Sequence, residues 1–191
     1  MAGKQAKILS PTEVDELLFF ADTTRHPVRN RAIVLLSVKA GLRAAEISNL
    51  TWDMVATPQR EIGQLLELHD AAAKKRHGRR IPIHKALRDA LIALKELSPT
   101  SKFVICSERG GKMAPISIVI WFARAFSTLG LSGCSSHSGR RTFITRAARS
   151  VHQVGGSLRD VQLLAGHSSI QTTQRYIDGD SDAQRKLVAL L

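Results

Sequence analysis

Cysteine, tyrosine, acidic residues and long apolar runs are all scarce in this chain, and each scarcity closes off a class of protein. Its 191 residues include two cysteines, Cys106 and Cys134, with neither CxxC nor Cys/His ligand spacing. Neither a disulfide framework nor a zinc site is indicated, and both are expected as reduced thiols in a cytoplasm. No apolar run reaches the roughly 18 residues that a membrane span needs. The N-terminus Met1-Ala2-Gly3-Lys4-Gln5-Ala6-Lys7 lacks the apolar stretch of a signal peptide. Aromatic residues make up 5% of the chain, with one tyrosine, Tyr176. Acids number 16 against 28 lysines and arginines, which leaves +12 and a pI near 10.5, the balance expected of a nucleic-acid partner. The acids form no cluster suited to a metal, Gly110-Gly111 lacks the spacing of a phosphate-binding loop, and no cofactor is expected.

What is present reads as one domain over residues 1–191, α+β and mainly helical, large enough to bury roughly 70% of its unfolded surface. Residues 1–9 form a tail. Ser10-Pro11-Thr12-Glu13 is a capping box that opens a first helix, with Val14, Leu17, Leu18 and Ala21 at helical spacing. A second helix, from about Val28 to Ala40, is apolar nearly all round and stops at Gly41. A third, short helix over Leu42 to Leu50 sets Arg43 and Glu46 three residues apart on one face. Short β-like pieces follow at Met54-Val55, Leu65 to Leu68 and Arg80 to Ile83. The basic run Lys74-Lys75-Arg76-His77-Gly78-Arg79-Arg80 forms a hairpin tip between the last two.

Lys85 to Leu97 reads as an amphipathic helix and Phe103 to Cys106 as a strand. Ile116 to Leu129 reads as a helix whose apolar side is Ile120, Trp121, Phe122 and Phe126. His137 and Arg140 stand on one side of a helix entrance, where backbone N–H groups favour an anion. The helix runs on to about Ser150; a loop at Val154-Gly155-Gly156 precedes another from Leu158 to Ala165, capped at Gly166-His167. A second short helix then carries Tyr176 back toward His167, and Asp182 to Leu191 forms a terminal helix. A lone phenol among histidines and arginines suits covalent chemistry at phosphorus as well as plain packing. A phenol is almost wholly protonated at neutral pH and needs a base or a positive field before it attacks.

Together these stretches resemble the catalytic domain of the tyrosine recombinase (phage integrase) family. The resemblance rests on Gly41-Leu42-Arg43-Ala44-Ala45-Glu46-Ile47, the basic hairpin before Ile81-Pro82-Ile83, His137-x-x-Arg140, Leu164-Ala165-Gly166-His167, and Thr172-Thr173-Gln174-Arg175-Tyr176. Five motifs in the family's order are hard to produce by chance, and the resemblance covers the chain from about residue 8 to 180. The resemblance implies the family's fold, with a small antiparallel sheet on one side, and site-specific DNA cleavage and rejoining through a 3′-phosphotyrosyl intermediate, with no metal or ATP. It makes Arg43 and Arg140 the clamp on the scissile phosphate, His137 an acid/base partner, His167 a phosphate ligand and Tyr176 the nucleophile. A hairpin lysine would protonate the leaving 5′ oxygen; counting back from Pro82 favours Lys74, with Lys75 the alternative. Glu46 would orient the active-site helices, and Lys75, Arg76, Arg79, Arg80 and Arg141 would contact DNA.

The implied partners are double-stranded DNA, a homotetramer on it and accessory DNA-bending proteins, in a bacterial, nucleoid-associated cytoplasmic setting. Residues 180–191 would dock on a neighbouring protomer. Two departures stand out: Arg141 where many relatives carry histidine, and a longer Val151 to Gly156 connection. The family's N-terminal core-binding domain is expected to be absent, either because this is a short stand-alone recombinase, like the small invertases, or because it is a fragment. A silent or regulatory DNA-binding protein and a type IB topoisomerase are the alternatives on the same residues.

Overall fold

The computed structural model describes residues 5–69, 78–97, 99–177 and 188–189. The chain divides into two compact units, Met1–Phe143 and Ile144–Leu191.

In the first unit the stretch expected as a tail is anchored. Leu9 is fully buried, its N–H donates to Thr142 Oγ1 at 2.8 Å, and Lys7 N–H donates to Gly133 O. Ser10 then caps α1 (Pro11–Asp22): its hydroxyl accepts from Glu13 N–H while the Glu13 carboxylate accepts from Ser10 N–H at 2.7 Å. Helix α2 (Pro27–Ala40) carries buried residues on every face, as its apolar sequence dictates. It ends because Gly41 adopts φ 63°, a left-handed conformation that reverses the chain. A side chain at Gly41 would also strike the Phe143 ring, with a Cβ only 2.5 Å from Cδ1.

Helix α3 (Ala44–Asn49) is shorter than expected: Arg43 stands outside it, extended, in the capping position. Met54-Val55 is not β-like, since Trp52–Met54 makes a 3-10 turn. Thr51, just before this turn, is paired with Phe103 in an isolated bridge. Strands β1 (Leu65–Leu68) and β2 (Arg79–Pro82) form an antiparallel pair in the register Leu66↔Ile81 and Leu68↔Arg79. Their alternation is plain: Leu66, Leu68, Arg79 and Ile81 share the buried face, and Arg80 the exposed one.

Helix α4 (Lys85–Leu97) has the bounds its pattern predicts and buries Leu87, Ala90, Leu91 and Leu94. Phe103 to Cys106 is not a regular strand. Its backbone is divided between two partners, Val104 N–H donating to Leu50 O and Ile105 O accepting from Met113 N–H, so no continuous ladder forms. Helix α5 (Pro115–Thr128) buries Ile118, Phe122, Ala125 and Phe126. Ile120 is exposed, contrary to expectation, because two residues past Ile118 a helix has turned by about 200°.

Helix α6 (Ser138–Ser150) contains the boundary between the units. Its first turn lies so close to α2 that a Cβ on Gly139 would stand 2.9 Å from Ser37 Cβ. In the second unit, Val151–Val154 forms a 3-10 turn that ends at Gly155, in the left-handed region. Ser157 and Asp160 form the capping box of α7 (Leu158–Ala165), and Gly166, at φ 64°, ends it. Helix α8 (Ile170–Gln174) packs on α7, with Thr173 fully buried. The expected terminal helix lies outside the described residues.

Candidate active site

In the first unit the site is built around a buried carboxylate. Glu46 has no exposed surface, and its two oxygens accept four hydrogen bonds. Oε1 receives Arg43 Nη1 at 2.8 Å and Arg79 Nη1 at 3.1 Å. Oε2 receives the backbone N–H of Arg43 at 2.9 Å and Arg79 Nη2 at 2.9 Å. Burial alone would raise the Glu46 carboxyl. The hydrogen bonds and charge of Arg79, then the N–H and charge of Arg43, outweigh it and hold the pKa down at about 2. A bidentate guanidinium fork suits a buried carboxylate because it satisfies direction as well as charge.

Arg140 is tied to the same stretch of chain. It is buried at 4% exposure, and its Nη1 donates to Gly41 O at 2.6 Å, two residues before Arg43. The close approach of α6 to α2 at Gly139 and the left-handed turn at Gly41 therefore bring Arg140 to the chain that carries Arg43. His137 stands exposed just before α6, its Nδ1 within 3.4 Å of Ser136 Oγ.

In the second unit His167 and Tyr176 are brought together. Their rings stack at 5.6 Å between centroids, 21° apart in plane. Gly166 reverses the chain, and Gln162 holds the residue after it by both ends. The Gln162 carbonyl accepts His167 N–H at 3.1 Å, while Gln162 Nε2 donates to His167 O at 2.8 Å. His167 Nδ1 and Thr173 Oγ1 share a hydrogen bond of 2.9 Å, which fixes the ring against α8. Tyr176 follows α8 in a turn, its N–H donating to Thr173 O at 3.0 Å.

Two of the residues expected to contact DNA have partners within the protein. Arg79 is not a surface residue: its side chain is 4% exposed and its fork is taken up by Glu46. The signal was present in the sequence, because period-two alternation puts Arg79 on the face of buried Ile81. Arg141 donates to Ala6 O at 3.0 Å, which anchors the N-terminal stretch. Arg80 is exposed and pairs across the hairpin with Glu67 at 3.0 Å. Lys74, Lys75 and Arg76 lie outside the described residues. Sequence reasoning missed Gln162, Thr173 and Gly139, whose roles depend on partners that no local pattern names.

A cleft of about 720 Å³ bounded by Trp52, Arg60, Lys95 and Ser101 contains none of these residues. Among the described residues no group of three or more His, Cys, Asp or Glu side chains is placed to hold a metal ion, and no helix is long and apolar enough to cross a membrane.

A mainly helical fold, with an antiparallel strand pair among the described residues and an arginine-bound carboxylate ahead of a histidine–tyrosine pair in the chain, defines a class that known proteins specify. Residues 7–182 match the phage integrase family, and the chain belongs to it. It is 31% identical over 173 residues to the tyrosine recombinase XerA of Thermococcus kodakarensis, a match that covers 89% of this chain and 57% of that protein. The crystal structure of XerA recombinase superposes with a TM-score of 0.74 at 23% identity, over 96% of this chain and 64% of the other. A lambda integrase tetramer bound to a Holliday junction gives 0.70 at 20% identity, over 89% and 47%. The chain thus spans little more than half the length of the curated relative it matches.

Proposed function

We propose that the chain is the catalytic part of a site-specific DNA recombinase that cleaves and rejoins strands through a 3′-phosphotyrosyl intermediate. The observation that carries this reading is Tyr176, the one tyrosine of the sequence, stacked on His167 in a chain of the phage integrase family.

In the proposed step the Tyr176 Oη attacks the scissile phosphorus, forming an O–P bond as the bond from phosphorus to the 5′ oxygen breaks. The phenolic proton passes to His137 or to water, and Lys74 donates a proton to the departing 5′ oxygen. Arg43 and Arg140 hold the non-bridging oxygens, where two permanent positive charges offset the charge that develops, and His167 donates to the phosphate. Because the phosphotyrosyl ester retains the energy of the broken diester, attack by a 5′ hydroxyl reverses the step without ATP. Glu46 orients Arg43, and the cationic hairpin residues Lys75, Arg76 and Arg80 bind the DNA backbone.

Assembly as a homotetramer on double-stranded DNA, with residues 180–191 docking on a neighbour and accessory proteins bending the DNA, completes the proposal, in the setting of a bacterial nucleoid. The lambda integrase tetramer bound to a Holliday junction, whose fold this chain shares, supports it.

The test is a pool of nicked duplexes with a randomised core, from which cleavage releases a short fragment and traps the covalent complex. The protein should yield a phenol-extractable 3′ adduct, and Tyr176→Phe should yield none while melting as the parent does. Binding without an adduct would leave a silent DNA-binding protein. Relaxation of arbitrary supercoiled plasmid would indicate a topoisomerase.

A further inference from the structure

We propose that Arg79 is a positioning residue whose charge offsets that of Glu46, so that the charge of Arg43 remains available to a bound phosphate. This rests on the reading of Arg43 as a phosphate clamp.

The geometry separates the two arginines. Arg79 has a side chain 4% exposed and gives Nη1 and Nη2 to the two oxygens of Glu46, so it has no route to a ligand. Arg43 gives Glu46 its backbone N–H and Nη1, and its side chain remains 24% exposed. Three charges thus share one buried cluster: the carboxylate and the Arg79 fork cancel, and one positive charge remains on the partly exposed arginine. Without Arg79, Glu46 would be neutralised by Arg43 alone, and the guanidinium that now gives the carboxylate a single Nη1 hydrogen bond would be drawn further onto it, in competition with an anion. In a poorly screened interior that competition is strong.

The register supports a dedicated role. Arg79 lies opposite Leu68 on the buried face of β2, a place that a charged residue occupies only when paired. Its Nε finds no acceptor among the described residues, so its retention there is not explained by complete satisfaction of its donors.

A purely structural role and a charge-offsetting role differ in a double-mutant cycle. Arg79→Gln should lower the rate of covalent adduct formation on the nicked duplexes by about 100-fold, the scale of losing one preorganised donor. Arg79→Gln/Glu46→Gln removes the competing carboxylate along with its partner and leaves an amide pair able to hydrogen-bond. It should recover at least about tenfold over the single variant, a non-additivity that two independent structural losses would not produce. Arg79→Gln as active as the parent, or a double variant no faster than the single, overturns the proposal. If Arg79→Gln does not fold, Arg79→Lys decides: it keeps the charge but gives up the fork, and should retain more than about a hundredth of the parental rate; a rate below that overturns the idea. If the unmodified protein forms no adduct on any duplex, the proposed function fails and this inference with it.

Discussion

Glu46 and Tyr176 are held in opposite ways. Glu46 has no exposed surface, and each of its four hydrogen bonds comes from an arginine. Tyr176 is partly exposed, follows a helix of five residues, and is held by the stack on His167 and one backbone bond to Thr173. The first arrangement is rigid because moving any member leaves a buried charge unpaired. The second can be displaced at the cost of a ring contact and an ordinary hydrogen bond. Under the proposed function the contrast has a reason: a phosphate clamp would gain from being preorganised, while a nucleophile that must attack, stay attached to DNA and be released would gain from a lighter hold.

The contrast breaks most severely at Glu46. Glu46→Ala leaves Arg79 buried with no counter-charge and should destabilise the first unit by about 3–5 kcal/mol, the usual result of removing one partner of a buried pair. Urea unfolding followed by circular dichroism measures it. A loss under about 1 kcal/mol would mean that the cluster contributes little to rigidity, and the comparison with Tyr176 would fail.

Acid probes the same carboxylate without a mutation. Its folded pKa, about 2, lies below the ordinary 4.5, so its contribution is complete above about pH 4.5 and is lost as pH falls toward 2. The shift corresponds to about 3 kcal/mol across that window. Unfolding midpoints at pH 5, 4 and 3 should therefore fall more steeply in the parent than in Glu46→Gln, which has no carboxyl to protonate there. Parallel slopes would refute the assignment.

How far the sequence foretold these two regions follows from how local each signal is. The capping box at Ser10 and Glu13 and the glycine stops at Gly41 and Gly166 are read within a few residues, and all three stand where expected. Arg43, Glu46, Arg140, His167 and Tyr176 were singled out by short motifs. The structure adds the partners: Gly41 O for Arg140, Arg79 for Glu46, Thr173 for His167. The inward turn of Arg79 is hard to read because a basic run suggests solvent, while the alternation that buries it becomes decisive only once Ile81 is known to be buried. Phe103 to Cys106 has the composition of a strand but lacks a single neighbour to pair with, which no property of those four residues reveals.

The smallest effect tests the lighter hold. Thr173→Val keeps the shape of a fully buried side chain and removes the hydroxyl that meets His167 Nδ1 at 2.9 Å. Its cost to stability should be about 1 kcal/mol, the net worth of one ordinary hydrogen bond. The consequence for the imidazole should be larger than that for the fold, because His167 also stacks on Tyr176 and a ring released at Nδ1 can turn within the stack. Adduct formation should slow by about tenfold, the equivalent of 1.4 kcal/mol in the barrier, while the melting temperature shifts by only a few degrees. A variant that melts far below the parent would place Thr173 among the rigid elements with Glu46. One that cleaves at the parental rate would show that the His167 ring is oriented by its stack on Tyr176 and by the backbone grip of Gln162 instead.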